Sequence, residues 1–391
     1  AEIEFKGNIV NLTGLGPFMQ DIDRETRKKA FKAADKFFSK NEEQLDLIFD
    51  KLIKIRHQKA CILGLKNFIP LAYLSLNRSD YGPEEVKKYR ELIVKYIVPL
   101  TKKINQNIKK KLRYNTLFCY DTLYFKEGNP TPKGTEEHLV SQAKKMYSEL
   151  SPETDEFFNM MINEDLMDLE NRPGKAGGGF CTSFPSLERP YIFANFNGTD
   201  HDLTVLTHEA GHAFQSYQSR KQPLMEYLWP TYEAAEIHSM SMEFLTWDWM
   251  HLFFKEDTDK FLYKHLAGAL SFLPWGAIID HFQHWIYENP NATPKERKKE
   301  WLNLEKIYLP DRNYDDLQFA KNGGSWQRIP HLINTPFYFI DYTLAQICAF
   351  QFWIRMKEDK EFAWKDYLEL CKAGGSMSFL DLVKLANIRS P

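Results

Sequence analysis

The stretch GTDHDLTVLTHEAGHAFQSYQSR, residues 198–220, decides how the rest of this chain is read. Its centre is His208-Glu209-Ala210-Gly211-His212. Leu203, Leu206, Ala210, Ala213, Phe214 and Tyr217 recur at threes and fours, which predicts a helix with one apolar stripe. Thr199 is expected to cap its start, with Asp202 favoured near the positive helix end. Residues four apart on a helix lie about 40° apart around the axis and about 6 Å along it. His208 and His212 are therefore expected to aim two imidazoles at one metal ion, with Glu209 on the flank as the base acting on water.

A catalytic zinc takes three protein ligands and keeps one position open. The third is sought in PTYEAAEIHS, residues 230–239, where Pro230 suits the opening of another helix. Glu236, Ser239 and Glu243 fall on one face of it. Glu236 is the expected ligand, with Ser239 and Glu243 supporting the metal ligands from behind. Glu233 and His238 compete by chemistry. Glu233 sits most of a turn earlier, and His238 lies about 160° around the helix from Glu236.

HEAGH followed at this distance by EIHSMSMEF resembles the thimet-oligopeptidase-like metallopeptidases, and within them the oligoendopeptidase F branch. Gly174 to Gly179 (GKAGGG) and Tyr191 to Asn195 (YIFAN) precede the zinc helix as in that branch. Pro330-His331, then Pro336-Phe337-Tyr338 and Tyr342, resemble its C-terminal signature, so the likeness covers roughly residues 120–355. The resemblance implies a mainly α, zincin-type metallopeptidase with many helices, a small β element beside the zinc helix and a deep substrate channel. Residues 1–170 are then an N-terminal helical wall, and residues 171–391 the catalytic region. It further implies one zinc ion per chain and short peptides as substrates. His331 and one of Tyr338 and Tyr342 are implied as donors to the oxygen that gains charge during attack. Members of the branch carry additional helical sequence on both sides, so the chain is expected to be a fragment or a shortened version. A zinc exopeptidase and a non-catalytic peptide-binding relative are the alternatives. Intact Glu209 argues against the second, since a binder has no use for the base.

The remaining composition is that of an ordinary globular chain. Of 391 residues, 43% are hydrophobic and 27% charged, and 51 basic against 53 acidic residues leave a net charge of -2. Nothing in that balance points to nucleic acid or an anionic membrane surface. The five cysteines, Cys61, Cys119, Cys181, Cys348 and Cys371, are scattered without CxxC spacing, which predicts reduced thiols in a cytoplasmic protein. No apolar run approaches the ~20 residues of a membrane helix, and AEIEFKGN does not resemble a signal peptide.

Along the chain, residues 1–20 read as a leading loop, followed by a helix from Asp23 and a second from Asn41 towards Gly64. A long helix after Pro83 is expected to kink or break at Pro99. Tyr114 to Phe125 reads as extended. Arg172 to Gly179 lacks the order of a phosphate-binding loop and reads as a flexible loop near the cleft. Pro190 to Asn195 reads as a strand leading to the zinc helix; the resemblance implies that it lies at the cleft rim, where an extended peptide could join its edge, and a structural strand pair with no ligand role is the alternative. His281 and His284 are spaced for a helix but lack a third ligand. Gly323-Gly324 is expected to hinge the His331 segment, and one helix from Pro336 onward to carry both tyrosines.

Overall fold

The computed structural model describes residues 2–391. The chain is mainly α, with two small sheets among the described residues. It divides into two compact units: the chain up to Gly128 with Leu266–Thr343, and Asn129–His265 with Leu344–Pro391. Each unit draws on both the region before residue 170 and the region after it.

The first unit opens with a hairpin where the sequence reads as loop. Strands β1 (Ile3–Phe5) and β2 (Asn8–Val10) pair antiparallel. Lys6 and Gly7, at φ 50° and 81°, form the two-residue turn between them. Three-residue strands are too short for an alternation to show in sequence. Ile3 and Phe5 bury against Leu15, Ala30 and Ala34. The helix Arg24–Ile62 then runs without interruption, capped by Asp23, whose side chain accepts from the Glu25 and Thr26 amides. The expected restart at Asn41 does not occur. Its side-chain amide donates to the Phe37 carbonyl oxygen (2.7 Å) instead of capping a new helix, and neither Gly nor Pro interrupts residues 24–62. Pro99 does mark an irregularity. Helices Pro83–Leu92 and Val98–Leu112 are joined through a wide π turn, Ile93–Ile97, with the backbone helical throughout, so the helix is distorted just before the proline and not ended there. Tyr114 to Phe125 forms turns and not a strand, because Asp121 accepts from the Phe118 amide (2.8 Å) and pairs with buried Arg27 and with Arg24.

In the second unit, helices Glu136–Leu150 and Pro152–Asn163 are separated by Ser151, whose hydroxyl oxygen accepts from the Thr154 amide. Three strands follow: β3 (Met167–Glu170), β4 (Phe180–Phe184) and β5 (Arg189–Phe196), in the spatial order β3-β5-β4. β5 runs parallel to β3 and antiparallel to β4. The expected free edge at Pro190–Asn195 is therefore absent: that segment lies in the centre of the sheet, and β4 is an outer strand. β5 feeds directly into the helix His201–Ser219, which packs against Tyr232–Leu245. Leu203, Leu206, Ala210, Ala213 and Phe214 are wholly buried. Phe214 packs among Phe157, Trp364 and Tyr367, which fastens the helix to the helix Lys360–Ala373.

Candidate metal centre

The start of the His201–Ser219 helix is held differently from the sequence expectation. Thr199 does not cap it; its hydroxyl donates to Asn197 (2.8 Å). Gly198, at φ 83°, turns the chain so that the Asn197 and Gly198 amides face Asp202 and donate to its two carboxylate oxygens at 2.9 and 2.7 Å. The end of β5 is thereby tied to the helix that carries His208.

His208, His212 and Glu236 converge, each offering a ligand atom within 4.8 Å of the others. The Nε2 atoms of His208 and His212 lie 3.2 and 3.4 Å from Glu236 Oε2. Closeness of the two helices makes this reach possible, since Gly211 in one faces the Ser239 backbone in the other. Ser239 donates to the same Glu236 oxygen (2.8 Å) and fixes the carboxylate. Glu243 Oε1 lies 2.8 Å from His208 Nδ1 and sets that ring's orientation. Of the competitors for the third ligand position, Glu233 and His238 are both buried, and neither joins the cluster. His238 packs instead against Tyr367, whose hydroxyl donates to the His238 carbonyl oxygen (2.8 Å).

Glu209 is buried beside the two histidines, and its Oε2 has no hydrogen-bond partner. A Cβ built on Gly179 would stand 3.2 Å from Glu209 Oε1, so the glycine loop before β4 leaves room for this carboxylate. Burial raises the Glu209 pKa, and the neighbouring His208 and His212 pull it partly back. Burial also opposes charge on Glu236, yet His212 and His208 hold it well below the usual carboxylate range. On His208, burial favours the neutral ring, but the hydrogen bonds to Glu236 and Glu243 outweigh it and hold the imidazole well above its ordinary range. A site that pulls this strongly towards positive charge between two imidazoles and a carboxylate suits a cation.

His331, Tyr338 and Tyr342 belong to the first unit and form one ring cluster there. Tyr342 Oη lies 3.4 Å from His331 Nε2, and the two tyrosine rings are 4.9 Å apart. The expected single helix from Pro336 is interrupted. Phe337 sits at φ 68°, so the helix Phe339–Glu358 begins one residue after Tyr338. The strained residue is held by Arg78, which donates to its carbonyl oxygen (2.6 Å), and by Gln283, which accepts from its amide (2.7 Å). Among the described residues His281 and His284 have other neighbours. His281 pairs with the Tyr308 hydroxyl, and His284 lies against Asp280 and Arg90.

Two neighbours of the centre escaped the sequence reading. Trp229 packs on His212, with ring centroids 5.6 Å apart. His265 lies 2.8 Å from the second oxygen of Glu243. His265 stands in the apolar run HLAGAL, where nothing local distinguishes it from a core histidine.

Comparison with known proteins points the same way. Residues 18–391 match the profile of Peptidase family M3. The chain is 27% identical over 384 residues to an Oligoendopeptidase F homolog of Borreliella burgdorferi, covering 95% of this chain and 63% of that protein. It is 26% identical to Oligopeptidase PepF of Bacillus subtilis, covering 98% of this chain and 56% of that one. The chain thus spans less than two thirds of the length of these relatives. A solved structure of PZ peptidase A with an inhibitor shares 51% identity at a TM-score of 0.99, over 100% of this chain and 70% of that one.

Proposed function

The chain belongs to peptidase family M3, and on that premise we propose that it is a zinc-dependent endopeptidase hydrolysing internal bonds of short oligopeptides. The observation that carries the proposal is the convergence of His208, His212 and Glu236 beside the unpartnered carboxylate oxygen of Glu209. Two imidazole nitrogens and one carboxylate suit a single zinc ion with a position left for water or substrate. When bound, zinc supplies a Lewis acid that polarises the peptide carbonyl and lowers the pKa of water towards ~7.

The chain's own residues supply the rest. Glu209 takes the proton from the attacking water and hands it to the departing amine, and a carboxyl raised by burial is better matched to both halves of that task. Ser239 and Glu243 hold Glu236 and His208 in place. His331 with Tyr338 or Tyr342 donates to the former carbonyl oxygen as it gains charge, a role that rests on the family likeness and is supported by their clustering. The outer strand β4 begins directly after Gly179, against Glu209, and is the strand along which an extended peptide would lie.

Short peptides as substrates are supported by the names of the relatives, and five free cysteines support a cytoplasmic setting. Among the described residues no helix is long and apolar enough to cross a membrane, and neither membrane nor nucleic acid enters the proposal. Hydrolysis of a blocked decapeptide, with and without zinc, tests it.

A further inference from the structure

We infer that His265, fixed by Trp247, is a positioning residue for the metal ligand His208 and acts through Glu243. The inference rests on the reading of His208, His212 and Glu236 as a metal site.

One atom beside His265 can only donate. The indole N–H has no acceptor function, and Trp247 Nε1 lies 3.1 Å from His265 Nδ1. That ring nitrogen therefore carries the lone pair, and the proton of His265 sits on Nε2. Nε2 is 2.8 Å from Glu243 Oε2, so it donates there. The other oxygen, Oε1, is 2.8 Å from His208 Nδ1. A carboxylate can only accept, so His208 carries a proton on Nδ1, which leaves Nε2, the atom facing Glu236 and the ligand cluster, as the nitrogen that would give its lone pair to a metal. Each hydrogen bond sets the polarity of the next, from Trp247 through His265 and Glu243 to His208.

Packing holds the chain of bonds in one geometry. His265 stacks on Phe261, lies 4.8 Å from the Phe244 ring and meets Trp247 edge-on. Its side chain is 7% exposed and that of Glu243 9%, so these bonds work in a medium poor in water. With His265 removed, Glu243 would keep His208 as its one imidazole partner and be free to rotate. A histidine that merely filled space would need the aromatic slot but not the proton on Nε2. Phenylalanine meets the first requirement and fails the second. Glutamine carries a donor and an acceptor on one terminal group and meets the second.

The test measures zinc affinity of the metal-stripped full chain by competition with a chromophoric chelator. Thermal unfolding of each metal-free variant and kcat and KM on a quenched peptide accompany it. His265→Phe is expected to weaken zinc binding by about 10- to 100-fold, the usual effect of removing such a partner, with the metal-free melting temperature little changed. His265→Gln is expected to restore affinity close to the parent's, and Trp247→Phe to fall between the two. Parent-like affinity in His265→Phe, or equal losses in the Phe and Gln variants, would overturn the inference. Should His265→Phe fail to fold, Trp247→Phe decides: unchanged affinity there overturns it as well. A parent chain that binds no zinc would overturn the metal reading itself, which is a separate outcome.

Discussion

Gly211 faces Ser239 so closely that a methyl group built on the glycine would stand 2.6 Å from the Ser239 Cα and 2.7 Å from the His238 carbonyl oxygen. Real Cβ contacts of that length essentially do not occur, so only glycine lets the two helices approach this far. The approach brings a carboxylate on one helix to two imidazoles on the other. It gives the fourth residue of HEAGH a physical task, although the zinc-binding pattern leaves that position open.

Gly211→Ala must therefore push the helices apart. Overpacking of this kind costs about 1–3 kcal/mol, and here the strain falls on the spacing between the ligands. The variant is expected to melt lower than the parent and to bind zinc more weakly, read by thermal unfolding and chelator competition. Parent-like zinc affinity would show that helix spacing does not set the site.

Glu209 and Glu236 are both buried glutamates at the centre, and the account gives them different tasks. Glu209→Gln is expected to retain zinc and lose nearly all turnover. Glu236→Ala is expected to lose zinc itself. Metal content of the purified variants, measured beside peptide hydrolysis, separates the two; a zinc-free Glu209→Gln with an active, zinc-loaded Glu236→Ala would reverse the assignment.

The centre was legible in the sequence because its geometry is local to two helices. His208 and His212 are one turn apart, and Glu236, Ser239 and Glu243 share a face, so helical spacing groups the right atoms on each helix, and the close approach at Gly211 brings the two groups together. What depended on partners distant in sequence was not legible. β5 lies inside its sheet because β3 and β4 flank it, and no feature of YIFAN reveals two neighbours instead of one. Tyr338 falls outside its helix because Arg78 and Gln283, far away in the chain, hold Phe337 at a positive φ. His265 was hidden for the same reason, since its two partners matter only once the fold has formed.

His281 gives the first unit a pH dependence of known sign. Burial first and then the Arg90 charge, with His284 and Lys87 adding and Asp280 opposing, lower its pKa to about 4. An unfolded histidine titrates near ~6.5. Between those values the unfolded chain binds more protons than the folded one, so stability rises with pH through the window and falls as pH drops from ~6.5 towards ~4. His281→Gln should shrink the difference in melting temperature between neutral and mildly acidic pH, measured on metal-free protein. An unchanged difference would show that His281 does not contribute to it.

The proposed role of His331, Tyr338 and Tyr342 makes a kinetic prediction. A donor that meets the oxygen only when it carries charge contributes to turnover far more than to substrate binding. Tyr→Phe at the donating position should lower kcat by about 10²–10³ with KM and zinc content nearly unchanged. Tyr→Phe at the other position should be mild, because the ring contacts persist. If Tyr338→Phe, Tyr342→Phe and His331→Ala all kept kcat near the parent's, the cluster would have no part in charge stabilisation.

The central claim is that one zinc ion, held by His208, His212 and Glu236, is required for peptide hydrolysis. The direct measurement strips the full chain of metal and titrates zinc back while following cleavage of a blocked decapeptide. The account predicts no cleavage in the stripped protein and recovery that rises linearly and levels off at one zinc per chain. It also predicts fragments that place the first cut at an internal bond. Full cleavage by protein shown to be free of metal would contradict it.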